Sequence, residues 1–425
     1  MRVSFVPVVT SAFFAAAFAI AACTGDDPAV VAPAAAQDGG GGEGGGGTGN
    51  GGQDGGGPAG GDGGSADGGT ACAAPLADCD DDGTCETSLE TSPEHCGACG
   101  HGCGTGGTCS KSACQPITLA KNLTGVVSVA VNATALVILK QGGPGVCPKE
   151  GCGGANPTSL ETDEVVAAGP HGIYVDATNA YWLGRQTSDS IGNSFYLRKC
   201  AIAGCGLAPS NLDPDYQLGT ELHGEGNTVF RYDPTGYGSK VYTDGSKAKE
   251  YLSSGVIAES LYFALAGGKL ASSVGGGATG GVSGVYIGNF ANTAPTRIMN
   301  AGVWVAIAAG NVYSSRAVDG TYDAIYYCAF AGCGGVGTNL GGTGPTAGTG
   351  KIADMTADAS GVYWVENVGQ VGRVMKCALP TCAGGPKALA VSQDKPFAIK
   401  TDESFVYWVN AGVTANTGAV MRVAK

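Results

Sequence analysis

The chain has 425 residues, a net charge of −13, 76 glycines, 17 cysteines and only 14% charged residues. Few charges together with many glycines favour an all-β, turn-rich extracytoplasmic protein over a helical cytosolic enzyme. The acidic balance repels phosphate backbones and no Lys/Arg cluster offsets it, so we expect no nucleic-acid partner. Cysteine at this frequency, outside a metal-binding pattern, indicates an oxidising compartment.

Residues 1–22 predict a lipoprotein signal peptide. Arg2 precedes an apolar run, and the small residues IAA stand directly before Cys23. The run IAAC resembles the lipobox of bacterial lipoproteins, and this resemblance implies a lipidated Cys23 as the mature N-terminus. Thr24, where inner-membrane lipoproteins have aspartate, implies an outer-membrane anchor, on the periplasmic side or at the cell surface. The alternative is an ordinary secretory signal or a spanning helix, because residues 3–22 are just long enough to cross a bilayer.

Residues 23–71 predict a lipidated, disordered tether. From Gly39 to Gly69 glycine dominates, with scattered acidic residues and almost no apolar side chains. The segment therefore has no apolar surface to offset the entropy of ordering. It either gives reach through an envelope layer or is a tolerated low-complexity insertion.

The 17 cysteines divide by position into groups of one, eight and eight. Cys23 stands alone, and eight cysteines lie within residues 72–115. The other eight form four C-x-x-x-x-C pairs, which are Cys147 with Cys152, Cys200 with Cys205, Cys328 with Cys333, and Cys377 with Cys382. We expect each pair to form a disulfide that closes the turn between two antiparallel strands. A metal site is the alternative, disfavoured because zinc sites favour closer cysteines with nearby histidines, and the chain has four histidines.

Residues 72–115 predict a small disulfide-rich module, because so short a segment cannot build a sufficient apolar core. Its segment SPEHCGACGHGCGTGGTCSKSAC resembles the cysteine-rich repeat of plant stigma-specific proteins and of bacterial envelope lipoproteins. His95 stands where that repeat often has asparagine, so the resemblance implies the cysteine frame and no capping role for this side chain. The sequence leaves the pairing of the eight cysteines open.

Within this module Asp78, Asp80, Asp82 and Gly83 spell D-x-D-x-D-G, the opening of a calcium-binding loop. Alternating oxygens would converge on a hard cation, so calcium is the one cofactor that the sequence suggests. An EF-hand needs a glutamate where this chain has Leu89. The alternative is an acidic, solvated turn between cysteines.

Residues 116–425 predict a β-propeller of about seven blades, with six and eight left open. Aromatic or aliphatic strand markers recur at Leu136–Val137, Tyr181–Trp182, Val229–Phe230, Tyr262–Phe263, Val312–Tyr313, Tyr363–Trp364 and Tyr407–Trp408. Most intervals between successive markers match the length of a propeller blade, which is about 40–50 residues. The interval before Tyr262 is shorter. The repeat rhythm resembles that of TolB-like and YncE-like bacterial propellers. Repetition without catalytic groups is typical of an interaction module, and we expect a monomer.

The two ends of the propeller segment are expected to share one blade. After Trp408 the last unit lacks its fourth strand, and residues 116–120 look like residues 386–390 of the preceding unit. The N-terminal segment then completes the C-terminal blade and leaves no exposed edge strand at the seam.

Catalytic motifs are not found in the sequence. It contains no G-x-S-x-G elbow, no H-E-x-x-H and no P-loop. His171 and His223 fall in different units at non-equivalent positions, and we expect them to be surface or turn residues. We therefore expect no enzyme activity.

Polar residues after the aromatic markers are the candidate binding face, namely Arg185, Glu366, Asn367 and Asn410. Trp182, Trp364 and Trp408 occupy equivalent repeat positions, which favours packing between blades over a stacking platform. The sequence thus predicts a non-catalytic envelope lipoprotein whose propeller recognises a protein or glycan. A propeller hydrolase or lyase acting on an envelope polymer, and a structural surface component, are the alternatives.

Overall fold

The computed structural model describes residues 72–166, 171–186, 194–212, 217–218, 221–233, 237–243, 250–252, 260–274, 282–289, 295–317, 323–340, 350–412 and 417–425. They belong to the unit Gly68–Lys425 and form β-strands and turns without an α-helix. Within these ranges no helix is suited to crossing a membrane. The predicted signal peptide, Cys23 and the tether of residues 23–71 lie outside the described residues.

The disulfide-rich module consists of two short hairpins and four disulfides. β1 (Leu76–Ala77) pairs with β2 (Thr87–Ser88), and β3 (Cys109–Ser110) pairs with β4 (Ala113–Cys114). The bridges are Cys72–Cys85, Cys79–Cys99, Cys96–Cys109 and Cys103–Cys114. His95 does cap a turn here, because its Nδ1 accepts a hydrogen bond from the Gly100 amide at 3.0 Å.

The described strands after the module form seven antiparallel sheets, which confirms the predicted β-propeller of about seven blades. The first strand after the module is β5 (Ile117–Leu123). Blade 1 contains β6 (Val126–Val131), β7 (Ala135–Lys140), β8 (Gly143–Pro148) and β9 (Thr158–Ser159). Blade 2 contains β10 (Glu164–Val166), β11 (Ile173–Val175), β12 (Asn179–Gln186), β13 (Ser194–Ala201), β14 (Ser210–Asn211) and β15 (Gln217–Leu218).

Blade 3 contains β16 (Glu221–Glu225), β17 (Thr228–Asp233), β18 (Tyr237–Tyr242) and β19 (Glu250–Leu252). Blade 4 contains β20 (Ser260–Ala266), β21 (Lys269–Val274), β22 (Gly284–Asn289) and β23 (Thr296–Met299). Blade 5 contains β24 (Val305–Ala308), β25 (Asn311–Ala317), β26 (Asp323–Ala329) and β27 (Thr338–Asn339).

Blade 6 contains β28 (Lys351–Ala357), β29 (Gly361–Val368), β30 (Val371–Ala378) and β31 (Lys387–Asp394). Blade 7 contains β32 (Pro396–Thr401), β33 (Phe405–Asn410) and β34 (Gly418–Ala424).

One strand of each blade lies innermost, which is β11 in blade 2 and the first strand along the chain in the other six. These inner strands close a ring. Contacts run from β6 to β11, β16, β20, β24, β28 and β32 in turn, and β32 contacts β6 again. In blade 2, β10 and β11 both pair with β12. The inner strands therefore surround a central channel, and residues far apart in sequence meet there.

The seam of the ring is closed as predicted. β5 pairs with β34, so the segment after the cysteine-rich module supplies the fourth strand of blade 7. Met421 faces Thr118 in this seam, just as Met375 faces Ala388 in blade 6, and both ladders shift register directly before the methionine. The resemblance between residues 116–120 and 386–390 thus reflects the same strand position in two blades.

The four C-x-x-x-x-C pairs are disulfides at one place in the blade. Their first cysteines end the third strands β8, β13, β26 and β30, and their second cysteines lie in the turn that leads to the fourth strand. They therefore close strand-to-strand turns in blades 1, 2, 5 and 6. Because each loop is short, each bridge contributes less than about 3 kcal/mol.

A repeated aspartate fixes the turn after the inner strand. Asp402 Oδ1 accepts the amides two and three residues later, both at 2.8 Å, and Oδ2 accepts the Tyr407 hydroxyl at 2.7 Å. Asp176 and Tyr181 repeat this arrangement in blade 2. An Asx turn thus joins the inner strand to the buried second strand.

One predicted marker is wrong. The markers at Tyr181, Val229, Tyr363 and Tyr407 lie on second strands, whereas Tyr262–Phe263 lies on the inner strand β20. The second strand of blade 4 is β21, which carries small residues in place of the aromatic pair. The short interval before Tyr262 therefore reflects an aromatic pair that faces the channel region, and blade 4 is a full blade.

The module packs against blade 7. Its buried cysteines belong to the same apolar cluster as Ile399 and Trp408. The Arg422 guanidinium lies 4.6 Å from the centre of the Phe405 ring and donates to the Thr105 carbonyl oxygen at 3.0 Å. The module therefore covers the blade that closes the ring.

Candidate functional site

Two of the four residues predicted to form a binding face, Glu366 and Asn410, are buried. Trp364 Nε1 donates to the Glu366 carboxylate at 3.2 Å, and Trp408 Nε1 donates to Asn410 Oδ1 at 3.0 Å. Glu366 and Asn410 are 8% and 9% exposed, so both serve to hold indole rings inside their blades. Asn367 Nδ2 donates to the Pro396 carbonyl oxygen at 3.1 Å.

The fourth residue of that set, Arg185, is half-buried on β12 in blade 2. It lies near the end of the second strand of blade 2, whereas Glu366 and Asn367 lie in blade 6 and Asn410 in blade 7. Trp182, Trp364 and Trp408 are all buried, as interblade packing requires.

A cavity of about 230 Å³ lies in the central channel instead. The inner strands of all seven blades line it. Most of the lining is apolar, and the polar side chains that reach it are His171, Tyr174, His223, Thr356, Lys400 and Thr401. Apolar walls with a few convergent polar groups are typical of small-molecule sites.

Three residues from three blades form a buried chain of hydrogen bonds beside the cavity. His171 Nε2 lies 2.9 Å from Asp354 Oδ1, and Lys400 Nζ lies 2.7 Å from His171 Nδ1. Asp354 is fully buried and also accepts the amides of Met355 at 2.7 Å and Ile399 at 2.9 Å. The imidazole therefore donates from Nε2 to the carboxylate and accepts from the lysine ammonium at Nδ1.

His223 lines the cavity next to His171. Its ring stacks on His171 with centroids 4.9 Å apart and lies 4.3 Å from the Phe263 ring. Its Nε2 has no hydrogen-bond partner among the described residues, and the Glu221 carboxylate is 3.5 Å away. Glu221 itself accepts the Phe263 amide at 3.4 Å. Nε2 is thus buried beside Glu221, while the residue as a whole lines the cavity.

Burial dominates the protonation of these groups. It lowers the pKa of His223 well below its usual value, and the neighbouring His171 and Lys400 act in the same direction. Burial also lowers the pKa of His171 and of Lys400, although Asp354 opposes both shifts. The pKa of Glu221 is raised well above its usual value by burial and further by Asp354. The two imidazoles are therefore neutral at neutral pH, and burial favours the protonated form of Glu221.

Sequence reasoning missed this cluster. His171 and His223 were expected at the surface or in turns, but His171 is 6% exposed and both lie at the inner strands of adjacent blades. A signal was present, because His171, His223, Asp354 and Lys400 each precede the second strand of their blade and so fall on or beside an inner strand. This position identifies a site only once it is known that the inner strands converge on one channel.

The acidic loop gathers four carboxylates. Asp78, Asp80 and Asp82 are joined by Glu86, and one oxygen from each lies within 4.8 Å of the others. Two amides donate to Asp78, from Asp82 at 3.1 Å and Gly83 at 2.8 Å. Repulsion from Asp82 raises the pKa of Asp80, as expected where like charges crowd. Carboxylate oxygens of this kind suit calcium, and Glu86 would supply the fourth ligand where an EF-hand uses the position of Leu89.

Comparison with known proteins supports the fold. No protein-family model matches the sequence, and no curated protein is significantly similar to it. Among solved structures, YCF48 bound to D1 peptide has a TM-score of 0.50 at 10% identity, with 73% of this chain and 94% of that chain covered. The RRP9 WD40 repeats give 0.48 at 10% identity, covering 73% and 97%. The β-propeller domain of the trilobed protease from Pyrococcus furiosus gives 0.46 at 7% identity, covering 71% and 95%.

Proposed function

We propose that this chain is a lipid-anchored protein of the outer membrane whose propeller recognises an envelope protein or glycan without chemical conversion. The observation that carries the proposal is the channel cavity, whose lining combines Lys400 and His223 with apolar walls. Inner strands of seven sheets hold these groups in place. Preorganised donors in an apolar pocket favour binding and selectivity.

The hydrogen bonds of His171 favour recognition over catalysis. An Asp–His pair such as Asp354–His171 orients an imidazole for general-base work when its second nitrogen faces the substrate. Here that nitrogen, Nδ1, already accepts a hydrogen bond from Lys400 at 2.7 Å. His171 therefore positions the lysine and has no nitrogen left to take a proton from a substrate.

His223 is the observation that favours the second candidate, a hydrolase or lyase acting on an envelope polymer. Its Nε2 is unpaired among the described residues and lies 3.5 Å from a carboxyl group whose pKa is raised by burial. An imidazole beside a protonated carboxyl is a base–acid pair. A purely structural surface component is the third candidate.

The disulfide count supports the lipid anchor. Eight disulfides use 16 of the 17 cysteines, and the remaining one is Cys23. A secreted protein with one cysteine outside its disulfide frame has a thiol free for another use. Acylation of Cys23 is the use that its lipobox-like surroundings suggest.

The test uses the full-length chain, purified in detergent and fully oxidised, as bait for fractionated peptidoglycan, polysaccharide and outer-membrane proteins. Each fraction is incubated with and without calcium and assayed for retention and for cleavage products. Lys400→Met removes the cavity ammonium. Lys351→Met is the matched control, because Lys351 loses the same charge at a half-exposed ion pair that contributes little.

We expect one fraction to be retained without cleavage by the wild type and by Lys351→Met, and lost with Lys400→Met. Cleavage products that disappear in His223→Phe would establish the enzyme instead. Retention of no fraction would leave the structural role. Retention that needs calcium would assign the carboxylates around Asp80 as a cation site.

A further inference from the structure

We propose that the channel cavity binds the carboxylate group of a small monoanionic ligand, with Lys400 Nζ and the His223 imidazole as its hydrogen-bond donors. This inference rests on the proposed recognition function and names the chemistry of its ligand. The argument comes from the donors that the cavity leaves unused, from its charge and from its size.

Lys400 has more donors than partners. An ammonium carries three N–H groups. Within the described part of the chain, Lys400 Nζ donates to His171 Nδ1 and forms no ion pair. Lys400 and His223 both line the cavity. Burial lowers the pKa of the ammonium although Asp354 opposes the shift, and an anionic oxygen in the cavity offsets the remaining cost of burial.

The charges around the cavity fit one negative charge. Asp354 is compensated locally, because His171 and two backbone amides donate to it. Burial raises the pKa of Glu221 and so disfavours a second negative charge there. Lys400 and one proton on His223 then balance the Asp354 carboxylate and a single ligand carboxylate. A dianionic phosphate would leave one negative charge uncompensated, because the described lining contains no further lysine or arginine.

The volume limits the ligand to a small group. About 230 Å³ is below the roughly 300–1,000 Å³ of cavities that hold drug-sized ligands. The Thr356 and Thr401 hydroxyls also reach the cavity and suit neighbouring oxygens of such a group. One acidic sugar or one terminal acid of a larger molecule fits this description.

Binding is expected to strengthen as the pH falls towards the pKa of the ligand. A bound carboxylate stabilises the protonated form of His223, so the imidazole takes up a proton on binding. The other titratable groups that face the site are His171, Glu221, Asp354, Lys400, Tyr174 and Tyr262. Loss of the proton on Lys400 at high pH also weakens binding, so the two effects have the same sign.

The experiment is calorimetric titration of the full-length protein in detergent with acetate, D-glucuronate and neutral D-glucose, from pH 5.5 to 8. Buffers of different ionisation enthalpy report the protons taken up. His223→Phe keeps an aromatic ring between His171 and Phe263 and removes the nitrogen. Lys400→Met and Lys351→Met complete the set, and thermal unfolding reports whether each variant folds.

We expect both acids to bind and glucose to bind at least tenfold more weakly. Proton uptake should vanish in His223→Phe, and Lys400→Met should weaken both acids at least tenfold, with Lys351→Met unchanged. Stronger acetate binding would point to an unsubstituted terminal acid, and stronger glucuronate binding to an acidic sugar.

Equal affinity for glucose and glucuronate would overturn the inference, as would acid binding that both cavity variants preserve. If neither acid binds while Lys400 still governs retention of an envelope fraction, the carboxylate assignment fails and the recognition function stands. If no fraction is retained either, both fail.

Discussion

Tyr407 shows how a repeated side-chain pair contributes to the stability of a blade. Its ring is buried, and its hydroxyl donates to Asp402 at 2.7 Å. We expect Tyr407→Phe to lower the free energy of unfolding by about 1–2 kcal/mol, because a hydrogen bond to a charged acceptor is lost while packing is kept. The midpoint of urea unfolding measures the change. Tyr327→Phe is the control, since its hydroxyl makes no hydrogen bond among the described residues; an equal loss there would contradict the prediction.

His223 gives a pH dependence with a definite sign. Its pKa is lowered in the folded state by burial, so the unfolded chain binds the proton more readily. The stability due to neutral His223 is complete above the unfolded pKa of about 6.5 and is lost as the pH falls below it. We expect urea midpoints between pH 7 and 5 to fall less in His223→Phe than in the wild type. Parallel pH profiles for the two proteins would show that His223 is not buried.

The repeat revealed the roles of its apolar residues but not those of its polar residues. The three tryptophans recur at one position, so their burial between blades followed from the sequence. Glu366 and Asn410 also recur after tryptophans, but their polarity suggested a surface. The structure shows instead that a buried indole N–H needs an acceptor, and the residue two positions later supplies it.

At the element scale, the contact of the module with blade 7 is testable at Gly104. A Cβ at this position would lie 2.4 Å from Phe405 Cζ, and Gly104 has a φ of +77°. We expect Gly104→Ala to loosen the module, seen as faster proteolytic cleavage within residues 104–116. Gly106 also has a φ of +77°, with nothing within 4 Å, so Gly106→Ala controls for backbone strain alone. Equal cleavage of the two variants would mean that the contact with Phe405 does not hold the module.

The seam strand and blade 4 show when a repeat can be read from sequence. β5 was identified because residues 116–120 repeat the side chains of β31 at the same register. Blade 4 was misread because an aromatic pair is not specific to one strand: Tyr262 stacks on Trp304 with ring centroids 3.7 Å apart, beside the channel. A buried inner strand and a buried second strand both accept aromatic residues, so the marker alone cannot separate them.

For the whole molecule, the anchor at Cys23 is the prediction to test. In a bacterial host, we expect wild-type protein in the outer-membrane fraction with acyl chains on its N-terminal peptide by mass spectrometry. Cys23→Ser should lose the acyl chains and leave that fraction, because the acylated thiol is removed. Thr24→Asp should keep the acyl chains and move to the inner membrane. Acylation that persists in Cys23→Ser would contradict the lipoprotein proposal.

The sequence by itself determined the features that depend on local pattern, which are the all-β class, the blade rhythm, the turn disulfides and the strand shared across the seam. These follow from backbone periodicity, turn chemistry and cysteine spacing, which act over a few residues. Only the tertiary structure decided the channel site, because Asp354 and Lys400 lie 183 and 229 residues from His171 in the chain. They meet because ring closure brings the inner strands together, and that convergence depends on blade number and register, which no local pattern specifies.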